Sequence, residues 1–437
     1  MPISGKAAIQ MKKLIDRREF VKRGFYVSVA GIAAVRGRGL ASTGDEEQAV
    51  TARDFLRDIL YTKEDVDSWL AGRAFPFAKY DGELGWLLPD ANFRDGVDRS
   101  VSTYTYGEYD ERITINYRDK PCRINTYGDS FTQCHQVSDG ETWQEVLAAH
   151  IQEPIRNFGV GGWSVYQAYL RMLREESRVS AEYIIFNIYD DDHFRNLDSW
   201  RNIRMRKHIR FIEPTLPYIK VNASEGTFEE CPNPCPSRES VYNLCDLEWV
   251  YRQFKDDFTL QIVLAKANSR QNLASGSYPD LVNPAAAQGN KSNSEGTESL
   301  AQTVDRLHEE AALFASRKIV EKIEKFAADN GKKVLYVVSY PAESIARFVK
   351  EGKRWDQPFI DFLKNRGLPF IDLMEAHVTE YRQFKLEIDE YLKRYFIGHY
   401  NPHGNLFCAF AIKDKLVEIL APKPFPYRED VINKVLD

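Results

Sequence analysis

The sequence predicts an α/β protein: a doubly wound parallel sheet with helices on both faces, a small β-rich N-terminal preface and a long insertion. Three observations carry that expectation. From residue 123 onward, short apolar runs alternate with helical stretches, and such alternation builds a parallel sheet flanked by helices. The run at 333–340, Lys-Val-Leu-Tyr-Val-Val-Ser-Tyr, is nearly continuous and rich in β-branched residues, which suits a strand buried on both faces. The 437 residues are 43% hydrophobic, enough for one large core or two modest ones.

Taken in order, residues 1–41 read as an export signal. Seven basic residues between Lys6 and Arg23 precede an apolar run from Gly24 to Val35. Twelve residues are too few to span about 30 Å of hydrocarbon, but they suit the middle of a signal peptide. Gly39-Leu40-Ala41 offers small residues for cleavage after Ala41, and Arg17-Arg18-Glu19-Phe20-Val21-Lys22 resembles a twin-arginine signal. The usual leading Ser or Thr is Asp16 here, and the usual Leu is Val21. That reading implies the twin-arginine export machinery as a partner, a periplasmic or secreted location, and no stable membrane span in the mature chain.

Residues 42–118 form a lead-in: a charged, partly helical part to 75, then a β-rich preface punctuated by Gly82, Gly85, Pro89, Gly96 and Gly107. Strands are expected there at 102–106 and 112–117. The main domain covers 119–422, with strands at 123–127, 155–158, 183–189, 333–340 and 368–373. Helices are expected near 142–151, 164–176, 298–329, 341–352, 356–366 and 406–420. Residues 197–297 break the rhythm and read as an insertion, with a mobile loop at 285–296 rich in Ser, Asn, Gly and Ala. Residues 423–437 are a tail.

A formal net charge of −5 leaves no basic excess to hold nucleic acid or an anionic membrane. The basic run from Arg201 to Lys207 reads as a solvated face. Six cysteines are too few for a disulfide scaffold. Cys231, Cys235 and Cys245 crowd together, but a structural zinc site takes four Cys or His ligands and no His is near. They are expected to form one disulfide in an oxidising compartment and free thiols otherwise. No cofactor or metal is expected.

Three segments carry chemistry. Tyr127-Gly128-Asp129-Ser130 follows the first strand, so Ser130 sits past its carboxyl end, where open α/β sheets bind ligands. A Ser there can act as nucleophile, and its own N–H can help hold an oxyanion. Asn157-Phe158-Gly159-Val160-Gly161-Gly162 follows the second strand and opens a helix, and its glycines let backbone N–H groups approach a substrate. His399-Tyr400-Asn401-Pro402-His403-Gly404 precedes the last helix and can return a histidine to the sheet edge as general base.

Together these segments resemble the SGNH, or GDSL-type, serine hydrolase family over about residues 119–422. The resemblance implies a flavodoxin-like sheet with Ser130 as nucleophile, Gly162 as an oxyanion N–H, and His399 rather than His403 as base. Two departures stand out. Asp191 takes the position of the family's oxyanion Asn, and a carboxylate cannot donate there unless protonated. Its backbone N–H, or Asn187, would then serve, or the hole has two donors. No carboxylate lies two or three residues before His399. A backbone carbonyl, Asp191 or Asp192, or less readily Asp389, would have to orient it. Asp190–Asp192 also read as a solvated, helix-capping acidic turn, and Asp372 as a structural carboxylate.

The resemblance implies ester hydrolysis through an acyl-serine intermediate, on a small-molecule or polysaccharide ester such as an acetylated carbohydrate. The alternatives are an O-acyltransferase on the same fold and a non-catalytic carbohydrate-binding relative. Labelling by a fluorophosphonate separates an active serine from the last of these.

Overall fold

The computed structural model describes residues 49–73, 78–205, 215–222, 225–269 and 299–429. The expected export signal, the loop at 285–296 and the tail beyond residue 429 lie outside the described residues.

Helices α1 (Ala52–Asp58) and α2 (Lys63–Leu70) start at Thr51 and Thr62, whose hydroxyls accept from backbone N–H groups three residues on. They bury Phe55, Leu56, Val66 and Trp69 in a cluster with Trp200, Val241, Leu244 and Phe254. Two antiparallel pairs follow: β1 (Lys79–Asp81) with β2 (Gly85–Leu87), and β3 (Ala91–Phe93) with β4 (Ser102–Tyr104). The strand expected over 112–117 does not form. Only Arg112 makes bridges, to Tyr106 and Asn157. The N–H groups of Ile115 and Asn116 donate instead to the Glu145 carboxylate, at 3.0 and 2.7 Å, so no ladder partner is needed.

The main sheet begins with β5 (Ile124–Tyr127), then α3 (Ser130–Gln133), α4 (Trp143–Ile151), β6 (Arg156–Asn157), α5 (Val165–Glu176) and β7 (Tyr183–Tyr189). After β7 come α6 (Asp192–Arg195) and α7 (Arg201–Met205), a hairpin of β8 (Tyr218–Asn222) and β9 (Thr227–Cys231), then α8 (Leu247–Phe254) and α9 (Phe258–Ser269). The chain returns through α10 (Leu300–Asp329) to β10 (Lys333–Ser339), α11 (Ala342–Glu351), α12 (Gln357–Asn365) and β11 (Phe370–Asp372). It ends on α13 (Leu373–Tyr381), α14 (Ile388–Leu392) and α15 (Pro402–Ile419).

The five strands run parallel in the order β6-β5-β7-β10-β11. In chain order that is 2-1-3-4-5, the flavodoxin-like arrangement, so the strand order reverses between β5 and β7. Helices α4, α13 and α15 pack together, as do α5, α10 and α12. Every residue of β10 after Lys333 is buried, as its composition predicts.

One expectation needs correction. Arg201 is 2% exposed, and Arg204 turns inward onto Asp191 and Asp198, so this part of the basic run is not a solvated face. A guanidinium leaves water when a carboxylate meets it with fork geometry, and Arg204 has two to meet. The six cysteines are free thiols, with Cys231 and Cys235 buried. Among the described residues no helix is long and apolar enough to cross a membrane, and no group of three or more His, Cys, Asp or Glu side chains could hold a metal ion.

Candidate active site

β5 ends at Tyr127 and the chain turns on Gly128, whose φ is +151°. A Cβ there would lie 2.3 Å from Thr132 Oγ1 and 2.8 Å from the Asn187 carbonyl, so a side chain would push α3 off the sheet. Asp129 caps α3, accepting from Phe131 N–H at 2.9 Å. Ser130 is the first helical residue, at the switch point of the sheet, and is 7% exposed. Its hydroxyl lies 3.1 Å from Asp129 Oδ2 and 2.8 Å from His399 Nε2. One proton serves two acceptors, and only its transfer to the imidazole frees the oxygen for attack.

His399 comes 269 residues later. The loop that carries it is fastened at several points. Its N–H donates to Gln136 Oε1 at 2.7 Å. Asn401 caps α15, and Asn405 Oδ1 accepts from Trp143 N–H at 3.2 Å, tying α15 to α4. Phe131 packs against the ring at 5.1 Å between centroids. Burial, then the neighbouring His135 and Arg195, hold the imidazole well below its ordinary value. It is therefore neutral at neutral pH and able to take a proton. His403 is exposed on the first turn of α15.

Gly162 has a φ of +82°, and its carbonyl accepts from Arg201 Nη1. That bond turns the carbonyl toward Arg201. The preceding Gly161 approaches Ser130 so closely that a Cβ on it would lie 3.5 Å from Ser130 Cβ. The N–H of Gly161 is taken by Gln133 Oε1 at 2.9 Å. The glycine turn is thus anchored both to α3 and to α7.

The acidic turn departs from the sequence expectation. Asp191 accepts from Arg195 Nε at 2.8 Å and from Arg204 at 2.8 and 3.1 Å. Burial opposes its charge, but the Arg204 and Arg195 guanidiniums outweigh it and hold the carboxyl well below the usual range. An ionised, doubly paired carboxylate has no proton to donate, so the Asp191 side chain is not an oxyanion donor. Asp192 faces Arg195 at 2.7 Å and Tyr189 N–H at 3.0 Å. Asp190 turns away to Ser344 and Trp355, and burial lifts it to about 6. These are inward-facing partners, not a solvated turn. Asp389 is exposed and pairs with Lys350 at 3.6 Å. Asp372 caps α13 and pairs with Arg354, a structural role. Asn187 lies in the middle of the sheet, opposite Val337 in register.

The support behind α3 escaped the sequence reading. Arg112 is buried and uses all five N–H groups: Nε to Asp139 at 2.9 Å, Nη1 to the Gln133 and Cys134 carbonyls, and Nη2 to those of Thr103 and Val137. The turn it grips contains Cys134 and Gln136 at φ of 60° and 75°. Non-glycine residues in that region cost about 1–3 kcal/mol each and persist only where their surroundings dictate them. A lone Arg in a strand-like stretch carries no motif, so no local signal marked it.

No family model matches the sequence, and no curated protein does. Among solved structures the chain is similar to one described as "putative lipolytic protein of G-D-S-L family" from Desulfitobacterium hafniense DCB-2. The TM-score is 0.31 and the identity 9%, over 67% of this chain and 98% of that one. The reading of the site rests on its own geometry.

Proposed function

We propose that this chain is a serine ester hydrolase in which Ser130 is the nucleophile and His399 the base. One observation carries the reading. A serine hydroxyl and a neutral imidazole, 269 residues apart in sequence, lie 2.8 Å apart at the carboxyl edge and switch point of a parallel sheet. Ser130 Oγ attacks the acyl carbon while its proton passes to His399 Nε2. The N–H groups of Ser130 and Gly162 face the oxyanion that forms. The tetrahedral intermediate collapses, and the departing alkoxide takes the proton from Nε2, leaving an acyl-serine. Water then attacks that ester, gives its proton to Nε2, and Ser130 leaves with it as the free hydroxyl.

Acetylated carbohydrate remains the substrate class suggested by an exported protein with 13% aromatic residues, and export through the twin-arginine route belongs to the same proposal. The test is covalent labelling by a fluorophosphonate. Ser130-dependent labelling of the folded protein is expected. An unlabelled wild type would sink the hydrolase reading. Labelling without hydrolysis of aryl acetates, but with acetyl transfer to a polysaccharide acceptor, would replace it with the transferase.

A further inference from the structure

His135 follows α3 in the turn that Arg112 grips. Its ring lies against that of His399, 4.9 Å between centroids at 54°. On its other side Nε2 faces Asp95 Oδ2 at 3.5 Å, both side chains being mostly buried. Asp95 comes from the loop between β3 and β4. Tyr104 of β4 fixes it, donating to Oδ2 at 3.2 Å and accepting from Gln136 N–H at 2.7 Å. The same Gln136 reaches back to the Asp95 carbonyl at 3.1 Å and accepts from His399 N–H at 2.7 Å. Asp95, His135 and His399 are therefore held in one row by shared partners.

We infer that Asp95, acting through His135, is the carboxylate that stands behind His399 and supports the imidazolium formed when Ser130 gives up its proton. The inference deepens the Ser130–His399 reading and rests on it. Asp95 and His135 are positioning residues, since neither is placed against Ser130. Asp95 Oδ2 beside Nε2 favours the neutral tautomer of His135 that holds its proton there and leaves the lone pair on Nδ1. No proton has to leave Asp95 or His135: a negative charge across one imidazole favours the charged form of the next. Among the described residues, the other groups facing His399 include Ser130 with Asp129 beside it, and Arg195 of α6; a charged His135 or Arg195 opposes its charge, so the support requires His135 to stay neutral. Among the described residues, those facing His135 include Asp95, Tyr104, Arg112 and His399. Among these groups Asp95 is the carboxylate that adjoins the row on the side away from Ser130.

The test pairs two readouts on the full folded chain. In Asp95→Asn the fluorophosphonate labelling rate should fall about tenfold, the equivalent of one pKa unit, and its acid limb should move to lower pH. At pH 7 the imidazole ¹⁵N resonances of both His135 and His399 should move. In a His135→Gln background, Asp95→Asn should cost nothing further. An Asp95→Asn protein whose His399 resonances stay in place overturns the inference. So does one whose rate loss is the same with and without His135. Should Asp95→Asn fail to fold, His135→Gln serves alone, and unmoved His399 resonances there are equally fatal. The spectrum reads this coupling whether or not the protein hydrolyses anything, whereas loss of Ser130-dependent labelling in the wild type speaks only against the hydrolase reading.

Discussion

The two flanks of Ser130 are assembled from different parts of the chain. On one side His399 and the glycine turn come from loops at the carboxyl edge of the sheet. On the other, Asp95, Tyr104 and Arg112 come from the N-terminal strand pairs and the stretch after them. The edge flank is made of side chains that can react, each in a short segment with its own turn and cap. The N-terminal flank reaches α3 and the turn after it largely through backbone carbonyls, three of which one guanidinium gathers together with that of Thr103 in β4. Reactive groups need a defined residue type at a defined place. Support needs only that some donor arrive, and it can arrive from anywhere in the sequence.

If that division holds, the largest loss belongs to the edge flank. His399→Gln removes the base and should slow fluorophosphonate labelling by roughly 10⁴-fold, with Ser130→Ala no worse in turnover, because groups acting as a unit are not additive. Stopped-flow or gel-based labelling rates check this. A loss under tenfold would mean that Ser130 is activated by something other than His399.

Arg112→Met attacks the N-terminal flank. It keeps much of the apolar stem but leaves four carbonyls and Asp139 without their donor in a buried turn. Breaking such a network costs about 3–5 kcal/mol, read as a drop in urea midpoint. Labelling should slow as well, since Cys134 and Gln136 are free to leave their left-handed conformations and take His135 and Gln136 away from His399. A variant that loses stability yet labels at the wild-type rate would reduce this flank to a purely structural one.

The same division explains what could be read from sequence. The five parallel strands and the helices between them follow from apolar periodicity, which each segment carries within itself. Ser130, Gly162 and His399 sat in segments with turn and cap signals, and the structure brings Ser130 and His399 together. Arg201 and Arg204 were misread because a run of cations looks solvated until its carboxylates are placed: Asp198 is three residues before Arg201, but Asp191 is 13 before Arg204. His135 carried no spacing of its own. Its place depends on Arg112, 23 positions earlier, and on two left-handed residues that favour no particular side chain.

The smallest effect sharpens the edge flank from behind. His377 of α13 is fully buried, with Nδ1 at 3.0 Å from Tyr391 and Nε2 at 2.9 Å from Tyr400, the residue after His399. Phe407 stacks on it at 4.0 Å. Burial pushes its pKa down to about 3, against about 6.5 in the unfolded chain. Above pH 6.5 both states are neutral and the shift contributes nothing. As pH falls below 6.5 the unfolded chain takes a proton that the folded one refuses until about pH 3, so stability drops by about 1.4 kcal/mol per pH unit from this site. Asp190 and Asp257, both lifted to about 6 by burial, act in the opposite sense, because there the folded chain takes the proton first. The total slope therefore mixes signs, and the difference between two proteins isolates His377. His377→Gln can still bond both tyrosines and has no proton to gain. Its urea midpoint should be lower than wild type at pH 7, and the gap should narrow at pH 5. A gap that stays constant would mean that His377 does not resist protonation in the folded state, and that the loop holding His399 is not braced by a buried neutral ring.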